Sequence, residues 1–378
     1  MKVLVLLTGG ICADGITSVW LTYCKEFARQ GLLSNQFVVD FGVIDGLSDF
    51  SKVDVFNAIG IRMIPLPDRL HTPMKYLTSL VNILKEGHYD IIHANGSSSL
   101  MCIEMLAGRL AKIPVRISHS RNSQCSFHVL HILLRPLFFH LCNGRFACGE
   151  QAGKWLFKNK NFVIINNGKD FSKFSYSLGK RTQMRENLNL ADKIVIGHVG
   201  WFTRIKNQSF LIDVFEEFVK LTPNSILYLM GIGDMFEEMK NKIEKKGLED
   251  KVILAGLIEN MPDRLHAMDI MALPSLHEGL PNVVLEWQAL GLPCLLSDTI
   301  TKACAVSDLV EYESLEESPK VWAKHLNDML DKKRNREEDA NQGVLALRKA
   351  GFDIRDNVKF LYEQYSKLVN RYKTDGTL

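Results

Sequence analysis

No C-x-x-C pair occurs in this 378-residue chain, although it holds eight cysteines: Cys12, Cys24, Cys102, Cys125, Cys142, Cys148, Cys294 and Cys304. Most lie in apolar runs, where a free cysteine packs as a small core residue, so the spacing favours a reducing cytoplasm over a disulfide framework. No apolar run reaches the ~18–20 residues of a membrane span. The most apolar stretch, Val129 to Cys142, is broken by His131, Arg135, Pro136 and His140. The opening MKVLVLLTGG resembles a signal peptide only superficially, since it lacks a small-residue cleavage site and runs into a Gly-rich turn. It reads better as the first strand of an α/β domain. Neither a repeat period nor a disordered composition is present, with 46% hydrophobic and 24% charged residues. There is also no D-x-D and no His/Asp/Glu cluster at metal-ligand spacing, so divalent-metal chemistry is disfavoured and no cofactor is expected.

What charge there is lies unevenly. The net +3 gives no reason to expect a nucleic-acid partner, yet Arg109 to Lys160 carries nine Lys or Arg against Glu150 alone. That segment is therefore +8 and the remainder −5. The plain reading is a solvated face; the sharper one is a surface that meets anionic lipid or a phosphorylated partner.

The length exceeds the ~250–300 residues at which a single core stops growing, so two domains are expected. Short β-rich runs (KVLVLLT, QFVVDFGVI, IRMIPL, YDIIHAN, PVRISHS) alternate with helical patterns over Ile16–Gln30, Phe50–Gly60, Pro73–Lys85 and Ser98–Ala111. After a polar stretch, Lys169–Asp192, the strand DKIVIGHVG opens a second alternation that runs to PCLLSD. Alternation of this kind signals parallel sheets with right-handed crossovers. The expected class is α/β: two doubly wound, Rossmann-like domains, residues 1–168 and 169–352. In the tail, residues 353–378, Val358, Leu361, Tyr362, Tyr365, Leu368 and Val369 fall at helical spacing. This predicts an amphipathic helix crossing back to the first domain.

Ligands of open parallel sheets bind beyond the carboxyl ends of the strands, so the residues directly after each strand are the candidates. The loop Thr8 to Thr17, with Gly9, Gly10 and Gly15, leads from the first strand into the first helix and would let backbone N–H groups approach an anion; a structural turn explains it equally well. In GHVGWFTRIKNQSF, Arg204 and Lys206 stand just before a helix beginning near Gln208 and make a diphosphate site, or else an exposed basic loop. In LPSLHEGLPNVVLEWQALGLPCLLSD, Pro281 suits a first helical position, with Gly279 and Leu280 ahead of it. Glu278 precedes that helix. Glu286 lies one turn after Asn282 on the same face, among apolar neighbours, where a carboxylate needs a partner such as a sugar diol or a core salt bridge. His119 and Asn122 end the fifth strand, in RISHSRNS.

Taken together, these segments resemble glycosyltransferase family 4, in its branch acting in capsule and exopolysaccharide assembly. YDIIHANGSSS, RISHSRNS, GRFACGEQAGKWLF, VIINNGKDF, GHVGWFTRIKNQSFLIDVF, the E-x7-E of Glu278 and Glu286, and GLPCLLSDTITK carry the likeness in order over nearly the whole chain. The resemblance implies the GT-B fold, two domains facing across a cleft, and a retaining, metal-independent transferase using a nucleotide sugar, UDP-linked on family frequency. It implies a glycan or polyprenyl-linked acceptor, which together with the cysteine usage and the basic segment gives an expected cytoplasmic location, peripheral on the membrane's inner face. By position, Glu278 with the amides of Gly279 and Leu280 contacts donor-sugar hydroxyls, and Glu286 grips the ribose diol. Lys206 neutralises the diphosphate, His119 lies near the transferred sugar, and Gly15 closes on phosphate and acceptor. One position departs from the family: Trp201 follows Gly200 where an arginine is usual, leaving Arg204 as its substitute. Two rival readings share the architecture, a catalytically silent nucleotide-sugar-binding partner and a nucleotide-sugar 2-epimerase.

Overall fold

The computed structural model describes residues 1–12 and 15–375 and divides the chain into two compact units, Met1–Asp170 with Gly351–Leu378, and Phe171–Ala350.

In the first unit seven parallel strands, β1 (Lys2–Leu7), β2 (Val38–Ile44), β3 (Arg62–Leu66), β4 (Ile91–Gly96), β5 (Val115–Ser120), β6 (Gly144–Ala147) and β7 (Val163–Ile164), are ordered β3-β2-β1-β4-β5-β6-β7. The crossovers are α1 (Gly15–Arg29), α2 (Phe50–Asn57), α3 (Pro73–Glu86), α4 (Cys102–Leu110), α5 (His128–Leu141) and α6 (Glu150–Phe157). Strands covered on both faces read as continuous apolar runs, and their side chains alternate between two cores. Val3, Val5 and Leu7 face a core built with Trp20 of α1 and Phe56 of α2. Leu4 and Leu6 face another, filled by Tyr76, Met105, Phe138 and Leu156 from α3 to α6.

The second unit opens with α7 (Leu178–Asn187), inside the stretch that the sequence presents as merely polar. No apolar stripe marks this helix, because it is fastened by charge: Arg181 and Arg185 both pair with Asp269. Six parallel strands follow, β8 (Ile194–Val199), β9 (Ser225–Met230), β10 (Val252–Leu254), β11 (Ile270–Leu273), β12 (Cys294–Ser297) and β13 (Val310–Glu313), ordered β10-β9-β8-β11-β12-β13. Between and after them run α8 (Gln208–Leu221), α9 (Phe236–Lys245), α10 (Met261–Leu265), α11 (Asn282–Ala289), α12 (Pro319–Leu330) and α13 (Arg336–Lys349). The charged segment DKKRNREED holds the start of α13: Asn335 caps it, accepting from the amides of Glu337 and Glu338, and acids in its first turn suit the helix dipole.

The last helix, α14 (Ile354–Asp375), belongs to the first unit. A backbone bridge leads into it, Lys169 N donating to Phe352 O (2.8 Å) and Ile354 N to Lys169 O (3.0 Å). Ile354, Val358, Leu361, Tyr365 and Val369 then enter the core that contains Trp20.

Candidate functional site

In the second unit the candidate residues gather at the carboxyl ends of β8 and β11. Gly200 follows β8 and its amide donates to Met230 O (3.0 Å). A Cβ at Gly231, whose φ is +143°, would fall 2.0 Å from Gly200 O, so only glycine lets these two loops touch. Next comes the 3-10 turn Arg204–Lys206, ending at Asn207 in the left-handed region (φ 57°) at the start of α8. Asn207 Nδ2 donates to Pro274 O (3.1 Å) and Leu276 N to Ile205 O (2.8 Å), which stitches this turn to the loop after β11.

That stitching sets Lys206 Nζ 2.5 Å from Glu278 Oε1. The same oxygen accepts from Ser275 Oγ (2.9 Å), and the carbonyl of Ser275 is held by Ser297 Oγ (2.5 Å) and Thr299 Oγ1 (2.8 Å). The ammonium and carboxylate are 20% and 15% exposed, so the pair is largely but not wholly withdrawn from solvent. Gly279 and Leu280 form the half-buried turn beyond Glu278. Pro281, expected as the first helical residue, stands instead at the cap with extended backbone (φ −72°, ψ 103°), and α11 begins at Asn282. Lacking an N–H, proline is tolerated at either place. Asn282 and Glu286 are half-buried on α11, one turn apart. Arg204 is exposed and forms no ion pair among the described residues, and Trp201 beside it is 46% exposed.

His198, which the sequence did not mark, is buried just before Gly200. Its Nδ1 donates to Ala272 O (2.9 Å), while Nε2 finds no partner among the described residues. Burial, with Lys206 nearby, pushes its pKa down to about 4.

In the first unit, part of the Gly-rich loop, Ala13 and Asp14, lies outside the described residues. Gly10 has φ +80° and a Cβ there would meet Leu47 O at 2.0 Å, so the loop lies against the turn after β2. Thr8 Oγ1 donates to Asn95 O (2.9 Å), and Gly15 is the exposed first residue of α1. His119 is only 1% exposed. Its Nδ1 lies 3.2 Å from Nε2 of His93, and its Nε2 lies 3.1 Å from NH1 of Arg121. His93 Nδ1 in turn is 2.6 Å from the Tyr365 hydroxyl of α14. Phe146 stands edge-on to both imidazoles and Trp20 to His93. Burial first, then Arg121, holds both histidines well below the usual imidazole range, so they are neutral. His93 and Arg121 were not marked as site residues in the sequence, and Tyr365 was marked only as part of the apolar face of the last helix. The signal was there: His93 and Asn95 are polar residues two apart, hence on one face of β4, and Arg121 stands two residues after His119, directly beyond β5. Among the described residues, no three His, Cys, Asp or Glu side chains gather in a way that could hold a metal ion.

The family model described as Glycosyl transferases group 1 matches residues 180–344. The glycosyltransferase named EpsF of Bacillus subtilis (strain 168) is 30% identical over 308 residues, 78% of this chain and 79% of its own length. The UDP-Gal:alpha-D-GlcNAc-diphosphoundecaprenol alpha-1,3-galactosyltransferase of Escherichia coli is 28% identical over 251 residues, 62% of this chain and 64% of that one. Among solved structures, Anabaena Alr3699/HepE in complex with UDP superposes with a TM-score of 0.80 at 18% identity, covering 97% of this chain and 100% of that one. Two doubly wound sheets and a relative matched over nearly four fifths of its length lead to one conclusion: the chain is a GT-B glycosyltransferase and belongs to the glycosyl transferases group 1.

Proposed function

We propose that this glycosyltransferase moves a hexose from a UDP-sugar to a glycan or polyprenyl-linked acceptor in bacterial surface polysaccharide synthesis, retaining the donor's α-configuration and using protein charge in place of a metal ion. The observation that carries the reading is the Lys206 and Glu278 pair, 2.5 Å apart beside the start of α11. One cation and one carboxylate at the same strand ends match the two demands of glycosyl transfer: charge for a departing diphosphate and an acceptor for sugar hydroxyls. Donor binding parts them, Lys206 turning to the diphosphate and Glu278 to the sugar, while Glu286 takes the ribose diol. Because negative charge grows on the diphosphate as the glycosidic bond breaks, Lys206 stabilises the transition state more than the bound donor. The acceptor hydroxyl then attacks from the face that the nucleotide leaves, as the family 4 likeness implies.

A uridine nucleotide as donor carrier is supported by the UDP bound to HepE and by the UDP-Gal in the name of the E. coli relative, whose acceptor is diphosphoundecaprenol-linked. A lipid-linked acceptor suits a cytoplasmic enzyme seated on the membrane's inner face, and α5 offers the surface. Val129 and Leu133 of this helix are 72% and 69% exposed, with Phe127, Leu130, Ile132 and Leu137 exposed beside them.

A thermal-shift screen against UDP-, GDP- and dTDP-sugars, followed by a transfer assay with polyprenyl-diphosphate N-acetylglucosamine in excess EDTA, tests the proposal. Stabilisation by a UDP-sugar and an α-linked product formed despite EDTA are expected. A β-linked product would overturn retention, loss with EDTA would overturn metal independence, and binding without transfer would favour the silent-partner reading.

A further inference from the structure

We propose that Arg121 grips a phosphoryl group of a substrate of this enzyme, and that the buried row His119, His93 and Tyr365 positions its guanidinium for that contact. The inference rests on the transfer reading above and deepens it.

The resemblance places His119 next to the transferred sugar, yet both of its ring nitrogens are occupied within the protein. Arginine can only donate, which fixes the direction of the whole row. Arg121 donates to His119 Nε2, so the His119 proton sits on Nδ1 and points to His93 Nε2. The His93 proton then sits on Nδ1 and points to the phenolic oxygen of Tyr365. The row is rigid as well as directed. The two imidazoles lie nearly parallel, their planes 12° and their centroids 5.3 Å apart, and both are walled by Phe146, while Tyr365 is buried on α14.

His119, His93 and Tyr365 are buried, whereas Arg121 reaches the surface. Arg121 is half-exposed and directly follows β5, at the carboxyl edge of the sheet where parallel folds bind ligands. Its backbone is held from both sides, N donating to Gly96 O (3.0 Å) and O accepting from Cys148 Sγ (3.4 Å). A guanidinium presents a planar fork suited to phosphate, and a neutral imidazole orients that fork without cancelling its charge. Holding a long side chain in place beforehand also removes much of the entropy lost on binding. Nucleotide donors and polyprenyl-diphosphate acceptors both carry the phosphoryl group that this device would meet.

The test compares Arg121→Ala, His119→Ala, the double variant, Tyr365→Phe and Arg121→Lys, with thermal unfolding to establish that each is folded. Arg121→Ala is expected to lower kcat/KM by about 30-fold, the loss of one charge-assisted contact, and free guanidinium should restore much of it. If His119 acts through Arg121, the double variant is no worse than Arg121→Ala, and Tyr365→Phe raises the same KM that Arg121→Ala raises. Arg121→Lys, with the charge but not the fork, should fall between wild type and Arg121→Ala. The source of the phosphate is read separately. A weaker UDP affinity by calorimetry assigns the donor. An unchanged UDP affinity, with a raised KM for polyprenyl-diphosphate N-acetylglucosamine but not for a phosphate-free alkyl N-acetylglucosaminide, assigns the acceptor. Losses that multiply in the double variant would show His119 touching substrate by itself and overturn the positioning row. Absence of transfer by the wild type counts against the proposed function; transfer with Arg121→Ala within twofold of wild type overturns this inference alone.

Discussion

A lysine and a carboxylate held together away from most solvent are costly to separate one at a time, since removing either strands the other. Lys206 and Glu278 differ from an ordinary buried pair in that Ser275 still donates to Glu278 when the lysine is gone. Lys206→Ala should therefore leave a folded protein, and turnover is expected to fall by about 10²–10³-fold, the usual cost of one preorganised charge on a leaving group. Activity within twofold of wild type would refute the diphosphate role. The two carboxylates should separate in calorimetry: Glu286→Gln weakening UDP itself, Glu278→Gln sparing UDP and weakening the intact donor. Equal losses for UDP would mean that the roles are exchanged. The placement of these residues was legible because Lys206 and Glu278 lie in the loops that leave β8 and β11, and Glu286 on the helix that follows the second loop, where ligands of parallel sheets bind. The row behind His119 was not, because His93 reaches it from 26 residues away in sequence and Tyr365 reaches His93 from 272. No local spacing encodes such a meeting.

Elements whose order comes from apolar periodicity were readable, and those fastened by charge were not. The helix α8 was expected to begin near Gln208, where it does begin, whereas α7 is a polar segment that becomes a helix through Asp269. That carboxylate sits at the start of β11, and besides the two arginines it accepts from Val195 N at the start of β8 (2.8 Å). Deleting it would leave two guanidinium groups and a backbone amide short of a partner, all largely buried. Asp269→Ala is expected to destabilise the second unit by about 3 kcal/mol, in the range for breaking one side of a buried pair. Urea unfolding followed by tryptophan fluorescence measures this, and a loss below about 1 kcal/mol would class the pair with weak surface bridges. The helix α5 was ambiguous for a related reason. Its apolar residues fit either a core helix or an outward face, and what decides is His131, buried at its inner side. There the Ser99 amide donates to His131 Nδ1 (2.9 Å), and the ring stacks on Trp155. With the inner face fixed by a histidine, Val129 and Leu133 are turned outward.

Across the whole molecule, charge and exposed apolar surface coincide in one stretch of sequence. The +8 of Arg109 to Lys160 is not all available, since Arg116 is buried and donates to the carbonyls of Leu141 and Ile113. Arg109, Lys112, Lys154, Lys158 and Lys160 remain exposed, and Lys158 lies over Trp155, which stacks on His131 of α5 and meets His128 at a tilt. Each cation near an anionic leaflet is worth about 1 kcal/mol, so three or four acting together give reversible attachment. The outward row of α5 adds apolar area that a purely electrostatic contact would lack. No helix among the described residues is long and apolar enough to cross a membrane, so any attachment by these helices is peripheral. Flotation with liposomes checks it. Binding to phosphatidylglycerol vesicles is expected at low salt, fading by roughly 0.5 M salt as screening shortens the reach of the cations, and absent with neutral lipid. Val129→Asp with Leu133→Asp, placed on the outward face, should abolish flotation while leaving thermal stability and UDP binding unchanged. Flotation that survives both substitutions would move the contact away from α5, and failure to float at low salt would remove the membrane from the account.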